Sequence, residues 1–427
     1  MFYAQQQCVY AASQQSRCIV PQAASKERHR WVLGSFTFSS DNEVSLIEFD
    51  EESGNLECVA QYAQGENKIW SMDTSPTDSS LLVTSYQDKS LNNGVSLYKM
   101  PGQSLSEIES NRGEVNTLMS GEKLDLEFLQ AIEKTGAEKR DPSYTTSVKW
   151  STLGDKLITA KSSIISVHNV GETVSGSNGG DSGGLDFRLD PSYEVSKTKM
   201  HKEIYSAATW DPHSPNSAAA VCDSYLYTLD TRSMSVGSKV YAHKGATRDV
   251  DYNPNKPHMV ITAGDDRRIR FWDMRNMKQP MRTLLGHEHW AWTAKYNPFH
   301  DQLVLSGGAD NNVNLWRVAS CSSSPWLGGG TDDESEKNDN SERRSVMSEL
   351  SGKESAATDQ TSEAGASDDS QSMDPPDVLI KALNQHTDTV YSVAWSPADA
   401  WVYCSMSLDG RVYLNHVPAA EKYKLLL

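Results

Sequence analysis

Three histidines are each followed by a hydroxyl and a carboxylate at one fixed spacing. His243 has Thr262 at 19 positions and Asp266 at 23, His287 has Ser306 and Asp310, and His386 has Ser405 and Asp409. Hydroxyl, imidazole and carboxylate are the parts of a nucleophilic relay, in which the base takes the hydroxyl proton and the acid orients the base. A relay is built once per site, whereas this set recurs with a further residue 29 positions after each His: Trp272, Trp316 and Asn415. Recurrence at matched offsets is the mark of a scaffold, in which each buried polar atom is given a partner. These residues are therefore expected to be structural rather than catalytic.

No other group of residues amounts to a reactive site. The string Gly180-Asp181-Ser182-Gly183-Gly184 matches the surroundings of a chymotrypsin-like nucleophile, but a Gly/Ser-rich loop produces such strings by composition. His287 and His289 are two ligands where a zinc site needs three or four. Walker, Rossmann and His-Glu-x-x-His signatures are missing from the chain. No enzyme activity, cofactor or metal is expected.

The elements that would position these sets read as strands. The segments beginning at His243, His287 and His386 align without gaps, and Asp266-Arg267-Arg268, Asp310-Asn311-Asn312 and Asp409-Gly410-Arg411 are turn-formers between alternating runs. Arg268-Ile269-Arg270-Phe271-Trp272 and Gln302-Leu303-Val304-Leu305-Ser306 read as half-buried strands. Weaker copies begin at His201, at Ser147, at Lys68 and at Trp31, which makes seven units. With Phe271-Trp272-Asp273 among them, the repeats resemble the WD40 family. That resemblance implies an all-β, seven-bladed propeller, with a network in each full repeat running from the turn Asp through the His to the Ser/Thr and the Trp indole. It also implies closure by an N-terminal strand, expected at residues 9–19 beside 386–417.

Residues 1–319 and 378–427 are read as this one propeller, with 101–120 and 171–190 as flexible insertions. Within 118–139, Leu124, Phe128 and Ile132 suit a helix and Leu124, Leu126 and Phe128 suit a strand; the ring needs the strand. Residues 320–377 hold 14 Asp+Glu against 4 Lys+Arg and few large apolar groups, so a disordered acidic loop is expected, with Thr331 and Ser351 as phosphorylation candidates. Over the whole chain 40 Lys+Arg face 57 Asp+Glu, a net charge of −17 that argues against nucleic acid or anionic lipid as partners. Neither a secretory leader nor an apolar run of about 20 residues is present, so no membrane insertion is expected. The six cysteines lack Cys-x-x-Cys spacing, which fits a reducing cytosol.

Beyond the repeat grammar, a run of particular strings is distinctive. Arg248-Asp249-Val250-Asp251-Tyr252-Asn253-Pro254, His289-Trp290-Ala291-Trp292, His300-Asp301-Gln302-Leu303 and Lys422-Tyr423-Lys424-Leu425-Leu426-Leu427 are similar to the family of EARP- and GARP-interacting proteins. The resemblance implies a non-catalytic adaptor for the multisubunit tethers of endosome-to-Golgi retrograde transport and endocytic recycling. Such an adaptor would be cytoplasmic, peripheral at the trans-Golgi network and endosomes, and a monomer within a larger assembly. In a WD40 ring the residue five positions after each His faces the top opening: here Arg248, Trp292 and Tyr391. Trp290, Asp265 and Arg267 are expected beside them, giving the aromatic and arginine anchors that dominate interfaces. An alternative comes from residues 260–275, which fit the box found in WD40 substrate receptors of cullin–RING ubiquitin ligases. Asp273 and Arg275 would then meet the ligase adaptor, with Arg232 in a second copy.

Overall fold

The computed structural model describes residues 8–38, 41–90, 92–103, 123–134, 145–161, 164–172, 185–189, 193–194, 206–233, 235–324 and 377–426. Its strands form seven separate sheets, each a blade with at least four strands and antiparallel throughout except for the short Leu124–Asp125, which runs parallel to Asn55–Gly65 at the edge of blade 1. The innermost strands, from blade 1 to blade 7, are Ser16–Pro21, Lys68–Thr74, Thr145–Trp150, Ser206–Trp210, Thr247–Tyr252, Ala291–Tyr296 and Val390–Trp395. They surround a central channel. The core is not at the centre but between the blades, as seven apolar clusters that each join two neighbouring sheets. Both faces of a blade are covered in this arrangement. Within Gln302–Ser306, expected to be half-buried, residues 303–306 are therefore all buried, as is the rest of the strand Leu303–Gly308.

The N-terminal closure divides the segment that the sequence treats as one strand. Cys8–Ala11 is the outer strand of blade 7, pairing Cys8 with Leu414 and Ala11 with Arg411. Ser16–Pro21 is instead the inner strand of blade 1, paired with His29–Ser35. The intervening Ala-Ser-Gln-Gln run has no large apolar side chain to hold a sheet, and there the chain crosses from one blade to the next. Glu127–Lys134 is a strand, the outermost of blade 2. Strand also occupies both ends of the expected insertion 171–190, as the end of Ile164–Glu172 and as Leu185–Leu189, which pair with each other in blade 3. The remainder of that insertion with residues 180–184, residues 104–120, and 325–376 with Thr331 and Ser351 lie outside the described residues.

The repeated polar sets meet inside the blades. In blade 5, His243 Nδ1 lies 2.7 Å from Asp266 Oδ1 and Nε2 lies 2.8 Å from Thr262 Oγ1, to which the Trp272 indole N–H donates at 2.9 Å. Blade 6 repeats this with His287, Asp310, Ser306 and Trp316 at 3.1, 2.8 and 3.0 Å. Blade 7 departs from the pattern. His386 Nε2 reaches Ser405 Oγ at 2.8 Å, but Nδ1 reaches Ser407 Oγ at 2.7 Å, and it is Ser407 that donates to Asp409 at 2.5 Å. With Asn415 in place of the indole, Tyr413 packs edge-on against the imidazole at 4.6 Å. A hydroxyl has been inserted between base and acid.

Burial pushes His386 down to about 4, against the weaker pull of Asp409. Native His386 thus stays neutral where the unfolded chain, titrating near about 6.5, takes up a proton. The unfolded state then binds more protons between these values, so stability is full above about pH 6.5 and falls as pH drops toward 4, by up to about 3 kcal/mol. Urea unfolding across that window is expected to show a shallower acid slope for His386→Gln than for the parent. Equal slopes would remove His386 as the cause.

Candidate functional site

Six of the seven inner strands carry an irregularity near their start, where one residue is skipped in the pairing. The skipped residues are Arg17, Trp70, Thr146, Arg248, Trp292 and Tyr391. A bulge of this kind re-aims a side chain that regular pleating would send between the blades. All six residues line one cavity of about 630 Å³, the central channel. Its mouth is asymmetric: blades 5, 6, 7, 1 and 2 supply arginine and aromatic groups, and blades 3 and 4 supply Thr146 and Ala207.

On the rich side the groups touch one another. Arg248 makes a two-pronged ion pair with Asp265, at 2.6 and 2.8 Å, and lies over the Trp292 and Trp290 rings at 4.3 and 5.2 Å. Trp292 meets Tyr391 at 4.7 Å and Trp290 at 6.3 Å between ring centroids. Trp290 is 42% exposed, a large apolar area to leave in water. Asp265 is anchored by Ala246, whose N–H donates to its carboxylate at 3.3 Å and whose carbonyl accepts its N–H at 2.9 Å. It adjoins Asp266, which is bonded to His243 in the interior, so the rim and the buried network share one turn. Arg267 is exposed at the tip of that turn with φ of 66°; like Asp265 and Trp290 it is not among the cavity-lining residues, but those two touch Arg248, which is.

Deeper in the channel, carboxylates fasten one blade to the next. Asp73 accepts the Trp150 N–H at 2.9 Å, Asp249 the Ala294 N–H at 3.1 Å, and Asp251 the Tyr296 N–H at 3.0 Å. Lys149 pairs with Asp73 at 3.1 Å and Lys295 with Asp249 at 2.9 Å. Burial, with the charge of Asp249 adding to it, raises Asp251 to about 6. A raised carboxyl in a cleft is a usual sign of chemistry, but ion-pair networks produce it too. Here its oxygen is occupied by the neighbouring strand.

On the other edge of the ring, Arg275 folds back on Asp273 at 2.9 and 2.7 Å and is exposed. Arg232 shares only the turn, its backbone N–H bonded to Asp230 at 2.9 Å. His287 is committed to its blade, and the described residues contain no group of three metal-ligating side chains. Among them, too, no helix is long and apolar enough to cross a membrane.

The model of the EIPR1 beta-propeller family matches residues 185–316, the stretch that carries Arg248, Trp290 and Trp292, and a WD-domain G-beta repeat model matches 377–414, which carries Tyr391. Over 98% of both chains, the sequence is 31% identical to "EARP and GARP complex-interacting protein 1" of Homo sapiens. The chain belongs to the EARP and GARP complex-interacting protein family. An "EARP-interacting protein homolog" of Gekko japonicus is also 31% identical over 98% of each chain. The "WD repeat-containing protein DWA2" of Arabidopsis thaliana is 25% identical over 96% of this chain and 95% of its own.

In this member of the EARP and GARP complex-interacting proteins, the mouth contains residues that the repeat spacing does not reveal. Arg17 and Trp70 stand where Arg248, Trp292 and Tyr391 stand, in blades without the His that sets the count. Phe36, just beyond the second strand of blade 1, completes the aromatic side by packing edge-on against Trp70 at 4.9 Å. A signal for Trp70 exists in Ile69-Trp70-Ser71-Met72, which has the cadence of Ala291-Trp292-Thr293-Ala294. Arg17 has no such signal.

Proposed function

We propose that the chain is a non-catalytic adaptor that binds EARP and GARP tethering complexes through the channel mouth, in endosome-to-Golgi retrograde transport and endocytic recycling. It would act as a monomer within that assembly, in the cytoplasm and peripherally at the trans-Golgi network and endosomes. The observation that carries this reading is the end-to-end similarity to proteins named for those complexes, with an exposed Trp290 and a ring-stacked Arg248 at the mouth. Aromatic and arginine side chains held by their own neighbours lose little freedom on binding, so the contact area they offer is usable.

Trp292→Ala and Arg248→Ala are each expected to weaken capture of tether subunits at least 10-fold, on the order of 1.4–3 kcal/mol, while the circular-dichroism spectrum stays that of the parent. Undiminished capture by both variants would move the site off this mouth. The ligase-receptor alternative rests on Arg232 and Arg275. The shared feature of these two is a turn in which Asp accepts the N–H two residues on, which the repeat itself requires. Co-purification of the ligase adaptor, lost in Arg275→Ala, would favour that alternative.

A further inference from the structure

The five cations in the wall of the channel are not equivalent: Lys26 is exposed, and the other four differ in their partners. Lys149, Lys295 and Arg248 are ion-paired with Asp73, Asp249 and Asp265. Arg17 has no carboxylate within ion-pair distance among the described residues. Instead its guanidinium lies over four rings: Trp70 at 4.5 Å, Tyr391 at 4.9 Å, Phe36 at 5.5 Å and Trp292 at 5.9 Å. These rings come from blades 2, 7, 1 and 6, so the cation stands inside an aromatic enclosure at the opening.

We infer that Arg17 is the carboxylate-recognising residue of the mouth, and that the segment bound there is a linear peptide with an acidic group next to a large apolar side chain. This rests on the proposal that the mouth is the partner-binding face. Aromatic faces attract a guanidinium but do not accept its five N–H donors as oxygen does. A half-buried arginine surrounded by rings therefore keeps its strongest hydrogen-bonding capacity for a ligand. The enclosure also lowers the local dielectric, which strengthens a pair formed inside it. One ring-enclosed guanidinium matches one carboxylate, whereas a phosphate dianion calls for several cations, and a chain of net charge −17 repels a polyanion at long range. Trp290 and Trp292 flank the position with the surface that an apolar neighbour would cover.

The experiment is selection of displayed random linear peptides on the full-length chain, followed by binding of the enriched peptides to Arg17→Gln and Arg17→Lys. Enriched sequences are expected to carry Asp, Glu or a free C-terminal carboxylate beside Phe, Leu, Ile, Met or Trp. Arg17→Gln should weaken them about 10- to 100-fold and Arg17→Lys less. A purely structural Arg17 would weaken every peptide alike. The decisive comparison is thus the same peptide with its acid changed to the amide, which should bind parent and Arg17→Gln equally. Enrichment of uncharged or basic peptides, failure to enrich any, or acidic peptides indifferent to Arg17→Gln each overturns the inference. Tether capture separates the two ideas. If Trp292→Ala abolishes capture and Arg17→Gln does not, the mouth stands and its carboxylate chemistry falls; if neither matters, the mouth itself is wrong.

Discussion

His243→Ala is expected to cost about 3–5 kcal/mol of stability and, with it, the recognition rim. The imidazole is fully buried, and the packing around it is so close that a Cβ on Gly264 would sit 2.4 Å from its Cγ. Alanine leaves a cavity and also removes two hydrogen bonds. Burial alone would raise Asp266, yet the bond and charge of His243, the Lys244 N–H and Arg270 hold it at about 2. Without the imidazole, a partly desolvated carboxylate keeps only the last two, and the turn that carries it loosens. Asp265 lies on that turn, so Arg248 loses its clamp, and capture of tether subunits should fall by more than loss of folded protein explains. His386→Ala is the control. Its carboxylate is reached through Ser407, and Ser407 stays bonded to Asp409 when the imidazole is gone. Urea denaturation should therefore show a smaller loss for His386→Ala, by about 1 kcal/mol. If the two losses match, or if His243→Ala captures normally, the network does not act as described.

That contrast between blades marks how far the chain can be read without coordinates. His, Ser/Thr, Asp and Trp at fixed offsets set the phase of a whole repeat, because burying a polar network allows only one register. From that phase Arg248, Trp292 and Tyr391 could be assigned to the mouth by counting. Blades 1 and 2 have no such anchor. Period-two alternation names their strands but not which residue the bulge skips, so spacing gives Trp70 no place at the mouth and puts Arg17 in a closing strand that in the structure ends at Ala11. The relay through Ser407 was also illegible. A Ser two residues before the turn Asp is an ordinary strand residue until the register Val390 to Ser407 is known. The acid staples Asp73, Asp249 and Asp251 escaped for a related reason: each bonds a backbone N–H of the neighbouring blade, and backbone partners leave no pattern in a sequence.

The short outer strand of blade 7 carries a load out of proportion to its length. Deleting residues 1–11 removes the pairing of Cys8–Ala11 with residues 411–414. It also removes Cys8 and Tyr10 from the cluster that joins blades 1 and 7. Counting about 1 kcal/mol per lost backbone bond and about 1–2 for each partly buried side chain, the loss is on the order of 4–6 kcal/mol. A domain with about 5–15 kcal/mol in total has little left after that. The deletion also frees a sheet edge in the blade where the ring closes, and a bare edge recruits strands from other molecules. The variant is expected to melt at least 10 °C lower and to elute partly as aggregate. A synthetic peptide spanning residues 1–12 should reverse both effects by re-adding the strand, which a general packing defect elsewhere would not permit. A deletion variant as stable and monodisperse as the parent would mean that the ring is held shut by the contacts between blades 7 and 1 alone, such as the Ser392 hydroxyl on the Ile19 carbonyl and the Trp31 indole on the Trp395 carbonyl.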